Sequence, residues 1–410
     1  MRPDSAAFLA DAGKGIFTEA PVFHKPYPSA WRIQQPDTPA FRQVYGNETR
    51  APLYVIWLSV IFGISGHNLA FAAMSGCLLG ALSCVVLYLA GHLFGSYRTG
   101  LAAALLLALN PTAIAYAPLF LPDTLFLLAA ALQVWFFLRF IRNAFGLNLI
   151  ASVMLAALGA LIRPANALWI FPCVFVLFFF RKTSPRLRLN YMLVSLLLFG
   201  AVLLPWLWSS HRAGLGWRID TISSEALLKN AAALEAAASG RKKADVLADY
   251  RAEMYAVYAA EPEKFATLGA QLRERDNRML HRILQHPFRC LVMHLNPAVL
   301  LPETAGLLIN LGMLHAPNRT WMQVFAIAVR LLYAAMLLGL VWYFVAAADR
   351  RSWFPVLLLL LLSGYYLLMP GSIAEPRYQL PALPFICMAA GFGLVYFMGI
   401  VKEKKTPSWL

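Results

Sequence analysis

The chain has 410 residues, of which 60% are hydrophobic and 13% charged, and its mean hydropathy is +0.62, a balance that excludes an ordinary water-soluble domain and leaves a polytopic membrane protein. The formal charge of +15 does not indicate nucleic acid, because Lys and Arg are scattered over connecting loops instead of lining one aromatic-interleaved face. The five cysteines are dispersed, mostly in apolar runs and without a CxxC pair, so neither a disulfide framework nor a cysteine-based metal site is supported.

In chain order, residues 1–50 form a polar stretch with no run long enough to cross a bilayer. It opens MRPDSAAFLADAGKGIF, and Asp4 is its first carboxylate. Taken alone, Asp4 reads as a helix cap for the AAFLADAGKG run as readily as a reactive group. Residues 52–62, PLYVIWLSVIF, are too short to span and carry the Pro, Tyr and Trp of a segment resting in the membrane interface.

Apolar segments that cross or nearly cross a bilayer are expected at roughly 67–93, 99–121, 123–141, 147–162, 165–180, 189–208, 321–346, 353–369 and 379–400. Basic residues recur at every second turn: Arg139 and Arg142, then Arg181 to Arg188, then Arg350 and Arg351, then Lys402 to Lys405. By the positive-inside rule these turns and the C-terminus are cytoplasmic. The opposite turns, with residues 1–50 and the long stretch 209–320, then face outward. Export of a polar N-terminal stretch leads us to expect a transmembrane helix ahead of it; the alternative is an N-out protein whose N-terminal stretch is threaded across by its first helix. From Ser223 to Gln285 the chain turns Ala/Glu/Arg/Lys-rich, with Leu247, Tyr250, Met254 and Tyr258 at helical spacing. Two or three outer helices are expected there, one opened by Pro262 and the last stopped by Pro287. The expected fold is therefore all-α and divides into an outer loop at 1–50, membrane helices at 51–208, an outer helical insert at 209–320 and C-terminal membrane helices with a tail at 321–410.

Four further polar clusters join Asp4 on the outward side: Arg50-Ala-Pro-Leu-Tyr54, Leu121-Pro-Asp123-Thr-Leu-Phe126, Leu161-Ile-Arg163-Pro164 and Glu375-Pro-Arg377-Tyr378. Each has a plain reading. Asp123 fits an N-cap, Arg163 a guanidinium snorkelling to headgroups, and Arg377 a partner of Glu375 or of lipid phosphate. Together they are more specific, since carboxylates and arginines beside a bilayer are the groups that handle a phosphorylated lipid and a hydroxyl nucleophile. His281, His286 and His294 lack a HExxH pattern, and their spacings do not gather them on one helical turn, so zinc is not expected.

The ordered motifs PDSAAFLADAGKGIF, RAPLYVIWLSVIFGISG, YLAGHLFG, LALNP, LPDTLF, LIRP, LLPWLW, LQHPFRCL and EPRYQLPALP resemble the multi-spanning glycosyltransferases of the GT-C superfold. The resemblance is to the branch of protein O-mannosyltransferases, aminoarabinose transferases and bacterial lipopolysaccharide sugar transferases, and it runs from Asp4 to about Leu394. It implies that Asp4 is the catalytic Asp of the first outer loop and that a helix precedes it. It also implies that Asp123 is the acidic residue opening a later helix, Arg163 the basic residue of a short hairpin, and Arg377 with Tyr378 the Arg-Tyr before the last helix. Ser5 stands where the family often has a second acid, so a divalent metal is left open with no ligands assigned.

The reaction expected is single-displacement sugar transfer from a polyprenyl-phosphate donor to a hydroxyl of a lipid, glycan or protein, inverting the anomeric centre. Asp4 would be the general base, Asp123 would orient the acceptor or a basic partner, and Arg50, Arg163 and Arg377 with Tyr378 would bind the donor phosphate. The expected setting is a bacterial inner membrane, with the site facing outward among membrane lipids. A flippase of lipid-linked sugar and a non-catalytic scaffold are the competing classes; no internal repeat of the kind many transporters carry is visible in the sequence.

Overall fold

A computed structural model of the chain describes residues 50–66, 68–179, 182–294, 319–349, 354–369 and 376–399. The described residues are helical, with no strand among them. The first half comprises α1 (Pro52–Ser65), α2 (Leu69–Phe94), α3 (Tyr97–Ala108), α4 (Pro111–Tyr116), α5 (Asp123–Asn143), α6 (Gly146–Ile162), a 3₁₀ turn (Pro164–Trp169), α7 (Ile170–Phe179) and α8 (Pro185–Arg212). Then come α9 (Ile222–Ser239), α10 (Lys243–Ala260), α11 (Leu268–Leu284) and α12 (Pro287–His294), followed by α13 (Arg319–Asp349), α14 (Phe354–Leu368), a second 3₁₀ turn (Pro376–Ala382) and α15 (Leu383–Phe397).

Five stretches among the described residues are long and apolar enough to cross a membrane: Leu69–Phe94, Asp123–Asn143, Pro185–Arg212, Ala326–Ala348 and Arg377–Phe397. The apolar segment expected at 99–121, with an outward turn in the Asn110 to Asp123 region, divides at the start of that region. Asn110 ends the run, and its side chain accepts a hydrogen bond from the Ala113 N–H at 3.1 Å while Pro111 opens α4. A carboxamide cap followed by proline starts a new helix more readily than it continues the old one. In the insert, Pro262 lies in a turn and opens no helix; Thr267 caps α11, accepting from the Ala270 N–H at 3.3 Å. Pro287 does follow the end of α11, but it also starts α12.

The membrane helices pack at close range through small residues. A side-chain carbon on Gly393 of α15 would lie 1.8 Å from the Gly339 carbonyl oxygen of α13, and one on Gly91 of α2 would lie 2.8 Å from the Gly100 Cα of α3. Between helices in lipid, where apolar burial adds little, such backbone contact supplies the packing energy. One hydrophobic core runs through this bundle, and α1 joins it through Tyr54, Leu58 and Phe62, spaced four apart on one face. α9, α10 and α11 enclose a separate small core of Leu228, Ala232, Val246, Tyr250 and Met279.

Candidate active site

The hairpin of α5 and α6 builds the site. α5 begins at Asp123 and ends where Ala144 adopts φ 54°, and α6 returns antiparallel to finish at Ile162. Two helices joined by so short a turn bring the start of the first level with the end of the second. Asp123 and Arg163 therefore meet: Arg163 Nη1 lies 3.0 Å from Asp123 Oδ1. Asp123 is only 1% exposed, and its place in the first turn puts its charge against the positive end of the helix.

The Asp123 carboxylate is not a cap. Pro122 occupies the cap position, and no side-chain capping bond is made. The Arg163 approach is off-axis, so neither carboxylate oxygen accepts an aligned hydrogen bond from a described residue. A buried carboxylate that retains acceptor capacity is costly unless something else binds it.

Arg163 is held from behind by a polar network inside the bundle. It sits in extended conformation between α6 and the 3₁₀ turn, its N–H bonded to the Gly159 carbonyl at 2.8 Å. Three residues on, Asn166 is fully buried and donates to Gln133 Oε1 at 3.2 Å and to the Ala156 carbonyl at 2.8 Å. Its carbonyl oxygen accepts from the Tyr366 hydroxyl, and the neighbouring Tyr365 hydroxyl donates to the Ala165 carbonyl. α14 thus fastens the bend that carries Arg163.

The second 3₁₀ turn supplies the opposite wall. Tyr378 presents its ring to two guanidinium groups, with Arg163 Cζ 5.3 Å and Arg377 Cζ 5.1 Å from its centroid. Arg377 Nη2 also donates to the Tyr378 hydroxyl at 3.4 Å. Guanidinium on an aromatic face fixes the cation while leaving its N–H edges available to an anion. Arg50 is buried at the mouth of α1, and one turn on Tyr54 lies within electrostatic reach of Asp123. Asp220, in the link between α8 and α9, lies within electrostatic reach of Arg50.

Of the residues singled out in the sequence, Asp123, Arg163, Arg377 and Tyr378 come together directly, and Arg50 lies one turn before Tyr54, which is within electrostatic reach of Asp123. Asp4 and Glu375 lie outside the described residues. Arg163 does not reach away toward headgroups; it turns to Asp123. Sequence reasoning named Tyr54 in its cluster without a role and missed Gln133, Asn166, Tyr365, Tyr366 and Asp220. The pair Tyr365-Tyr366 inside an apolar run was the available signal, since phenol hydroxyls within a membrane need partners. No three His, Cys, Asp or Glu side chains among the described residues converge to hold a metal ion.

Asp220 titrates above the ordinary carboxylate range. Desolvation is the main cause, partly offset by hydrogen bonds from the Ser223 hydroxyl and N–H and by the charges of Arg50 and Arg218. The Ser223 bonds are 2.6 and 3.2 Å, so Asp220 also caps the start of α9.

A family model described as dolichyl-phosphate-mannose-protein mannosyltransferase matches residues 49–208, the part that carries Arg50, Asp123 and Arg163. Among solved structures, the archaeal oligosaccharyltransferase AglB from Archaeoglobus fulgidus, in complex with an inhibitory peptide and a dolichol-phosphate, is similar in fold, with a TM-score of 0.52 at 13% identity. The alignment covers 99% of this chain and 48% of AglB, so the chain spans about half the length of that structure. No curated protein matches by sequence.

Proposed function

We infer that this chain, a membrane glycosyltransferase of the GT-C superfold, transfers a sugar from a polyprenyl-phosphate donor to a hydroxyl of a lipid, glycan or protein on the outer face of its membrane. The observation that carries this reading is the buried Asp123 carboxylate, ion-paired at 3.0 Å to Arg163 yet open to further hydrogen bonds, beside a tyrosine ring flanked by Arg163 and Arg377. Among the described residues of this cluster, two guanidiniums, Arg163 and Arg377, flank Tyr378 beside the carboxylate of Asp123. Such a site suits a phosphate leaving group, which needs charge stabilisation more than protonation.

In the proposed reaction the acceptor oxygen attacks the anomeric carbon, the bond from that carbon to the phosphate oxygen breaks, and the polyprenyl phosphate departs with its electron pair. Arg163 and Arg377 take the growing phosphate charge, with Arg50 at the rim. Asp4 takes the hydroxyl proton as general base. Asp123 orders Arg163 and offers its remaining acceptor positions to the incoming hydroxyl. Tyr378 keeps the two guanidiniums apart and aimed. The divisions at 1–50, 51–208, 209–320 and 321–410 serve this chemistry as catalytic loop, carrier scaffold, roof and closing helices. We place the protein in a bacterial inner membrane, with the site toward the cell envelope and the C-terminus cytoplasmic.

The test is transfer of radiolabelled sugar from polyprenyl-phosphate donors in membranes carrying the protein, beside an Asp4→Asn variant expressed to the same level. Loss of transfer in Asp4→Asn supports the base assignment. Equal transfer by both would move the base role to Asp123, and translocation of the lipid-linked sugar without transfer would replace the reading with a flippase.

A further inference from the structure

The outer helices end in a surface that the sugar-transfer chemistry does not use. From Leu280 onward, Leu280, Leu284, Phe288, Leu291 and Val292 are all exposed, Phe288 at 76% and Leu284 at 63%. They recur at helical spacing across α11 and α12, and α12 buries no residue at all. Five large apolar side chains on one face amount to a contiguous patch, not the scattered exposure of an ordinary surface.

The charged residues of the same segment are all arginines, interspersed with histidines. From Asn277 to His294 there is no Asp or Glu, against Arg278, His281, Arg282, His286, Arg289 and His294. Arg278 and Arg282 are engaged by Glu253 and Glu274 of the helical unit, whereas Arg289 is exposed beside Phe288. An apolar face with Arg289 exposed at its edge and no acid within its own segment matches a bilayer surface bearing headgroup phosphates.

The start of α11 is tied to the membrane boundary. Along α8, Leu193, Leu197, Leu204 and Trp208 lie exposed on one stripe, as residues facing lipid do, and Trp208 ends it. Trp208 stands 5.9 Å from Trp217, which stacks on His211 at 4.8 Å. Exposed tryptophans at the end of a lipid-facing stripe mark headgroup level. The Gly269 N–H donates to the Gly214 carbonyl at 2.8 Å between these tryptophans, joining the first turn of α11 to that level. This is also the site side, because Trp206 Nε1 donates to the Ile219 carbonyl at 2.8 Å and the next residue, Asp220, lies within electrostatic reach of Arg50.

We propose that the end of α11 and the whole of α12 dock on the site-side leaflet of the bilayer as a basic interfacial segment, selective for anionic lipid. The proposal rests on α8 crossing the membrane and not on sugar transfer. Phe288, Leu291 and Val292 enter the acyl boundary, Arg289 meets the phosphates, and the helical unit is held above the site at both ends of α11.

Spin labels read the docking directly. The full chain, with its native cysteines replaced, is reconstituted in nanodiscs of phosphatidylcholine alone or mixed with phosphatidylglycerol. Labels are attached at Leu284→Cys, Phe288→Cys and Leu291→Cys, and at Gln285→Cys and Arg289→Cys on the flank. In discs containing phosphatidylglycerol, the first set should collide with oxygen several-fold more than with a water-soluble nickel chelate, the flank set should show the reverse, and Arg289→Glu should weaken immersion at Phe288→Cys. Equal chelate access at all positions would overturn the proposal. So would labels shielded from both reagents, which would indicate a protein partner or a second copy, and immersion indifferent to phosphatidylglycerol, which would remove the anionic-lipid assignment. Because the labels report position without turnover, an inactive preparation leaves the result readable.

Discussion

The protein treats buried charge in two opposite ways. In the helical unit of α9, α10 and α11, Glu225 is met by Arg251 at 2.6 Å, Arg275 at 3.5 Å and Lys229 at 3.8 Å, while Asp276 takes Arg218 at 2.6 Å and the Ser224 hydroxyl. In the bundle, Asp123 is more deeply buried yet is met by Arg163 alone among the described ion pairs, with both oxygens still open. Saturated carboxylates cross-link helices. A carboxylate held with spare acceptor positions, at a helix start and beside a guanidinium, is arranged for something that arrives.

The sharpest way to break this contrast is Asp123→Asn. It keeps the shape but removes the charge that orders Arg163, and transfer should fall by about 100-fold or more, in the range of a lost catalytic acid–base or charge-stabilising group. Full transfer at wild-type expression would reduce Asp123 to a structural ion pair. Melting of the purified protein in detergent distinguishes the two, since a site role costs rate first and a purely structural one costs stability first.

Next in size is Asn166→Ala. It strands Gln133, the Ala156 carbonyl and the Tyr366 hydroxyl inside the bundle, and about 3 kcal/mol of stability should be lost. Arg163 then loses its backing, so transfer should fall as well. Combining it with Tyr366→Phe should cost clearly less than the sum of the two changes, because both break the same bond. Additive losses would show that the Tyr366–Asn166 bond does not fasten α14 to the bend.

On the other side of the comparison, Glu225→Gln releases Arg251 and Arg275 from their shared partner. A loss of about 1–2 kcal/mol is expected for a partly exposed cluster, with unchanged transfer kinetics in what still folds. A rate defect without destabilisation would mean that this unit takes part in the chemistry.

How much of this could be read in advance follows from what each residue's signal depends on. Asp123 and Arg163 stood out because charges are rare in apolar sequence, and the positive-inside pattern put their turns on one side. Their pairing follows from two antiparallel helices joined by a tight turn, a local matter. Asn166 and Tyr366 are 200 residues apart, and nothing local marks either as the partner of the other. The outward turn beginning at Asn110 was legible as turn chemistry, but the short helix α4 inside it was not, because the apolar run continues through it. Asp220 was hidden for another reason: in sequence it looks like any acid before a helix, and only the fold sets Arg50 near it.

Asp220 yields the smallest effect and the one with a defined pH sign. Its folded pKa is raised, chiefly by desolvation, so the native state holds a proton that the unfolded chain releases. Where the native state binds more protons, stability falls as pH rises. The Asp220 contribution is therefore fully present below the unfolded carboxylate value of 3.8 and declines through the interval up to the raised folded value. Asp220→Asn keeps an oxygen to accept from Ser223 but cannot titrate, so its melting temperature should lose this component of the acid-side slope. At neutral pH the variant removes a desolvated charge and also a carboxylate within electrostatic reach of Arg50 and Arg218, two effects of opposite sign, so the change there should be small. An unchanged slope between wild type and Asp220→Asn would show that the carboxylate is hydrated in the folded protein, and the link between α8 and α9 would then lie open to water at the rim of the site.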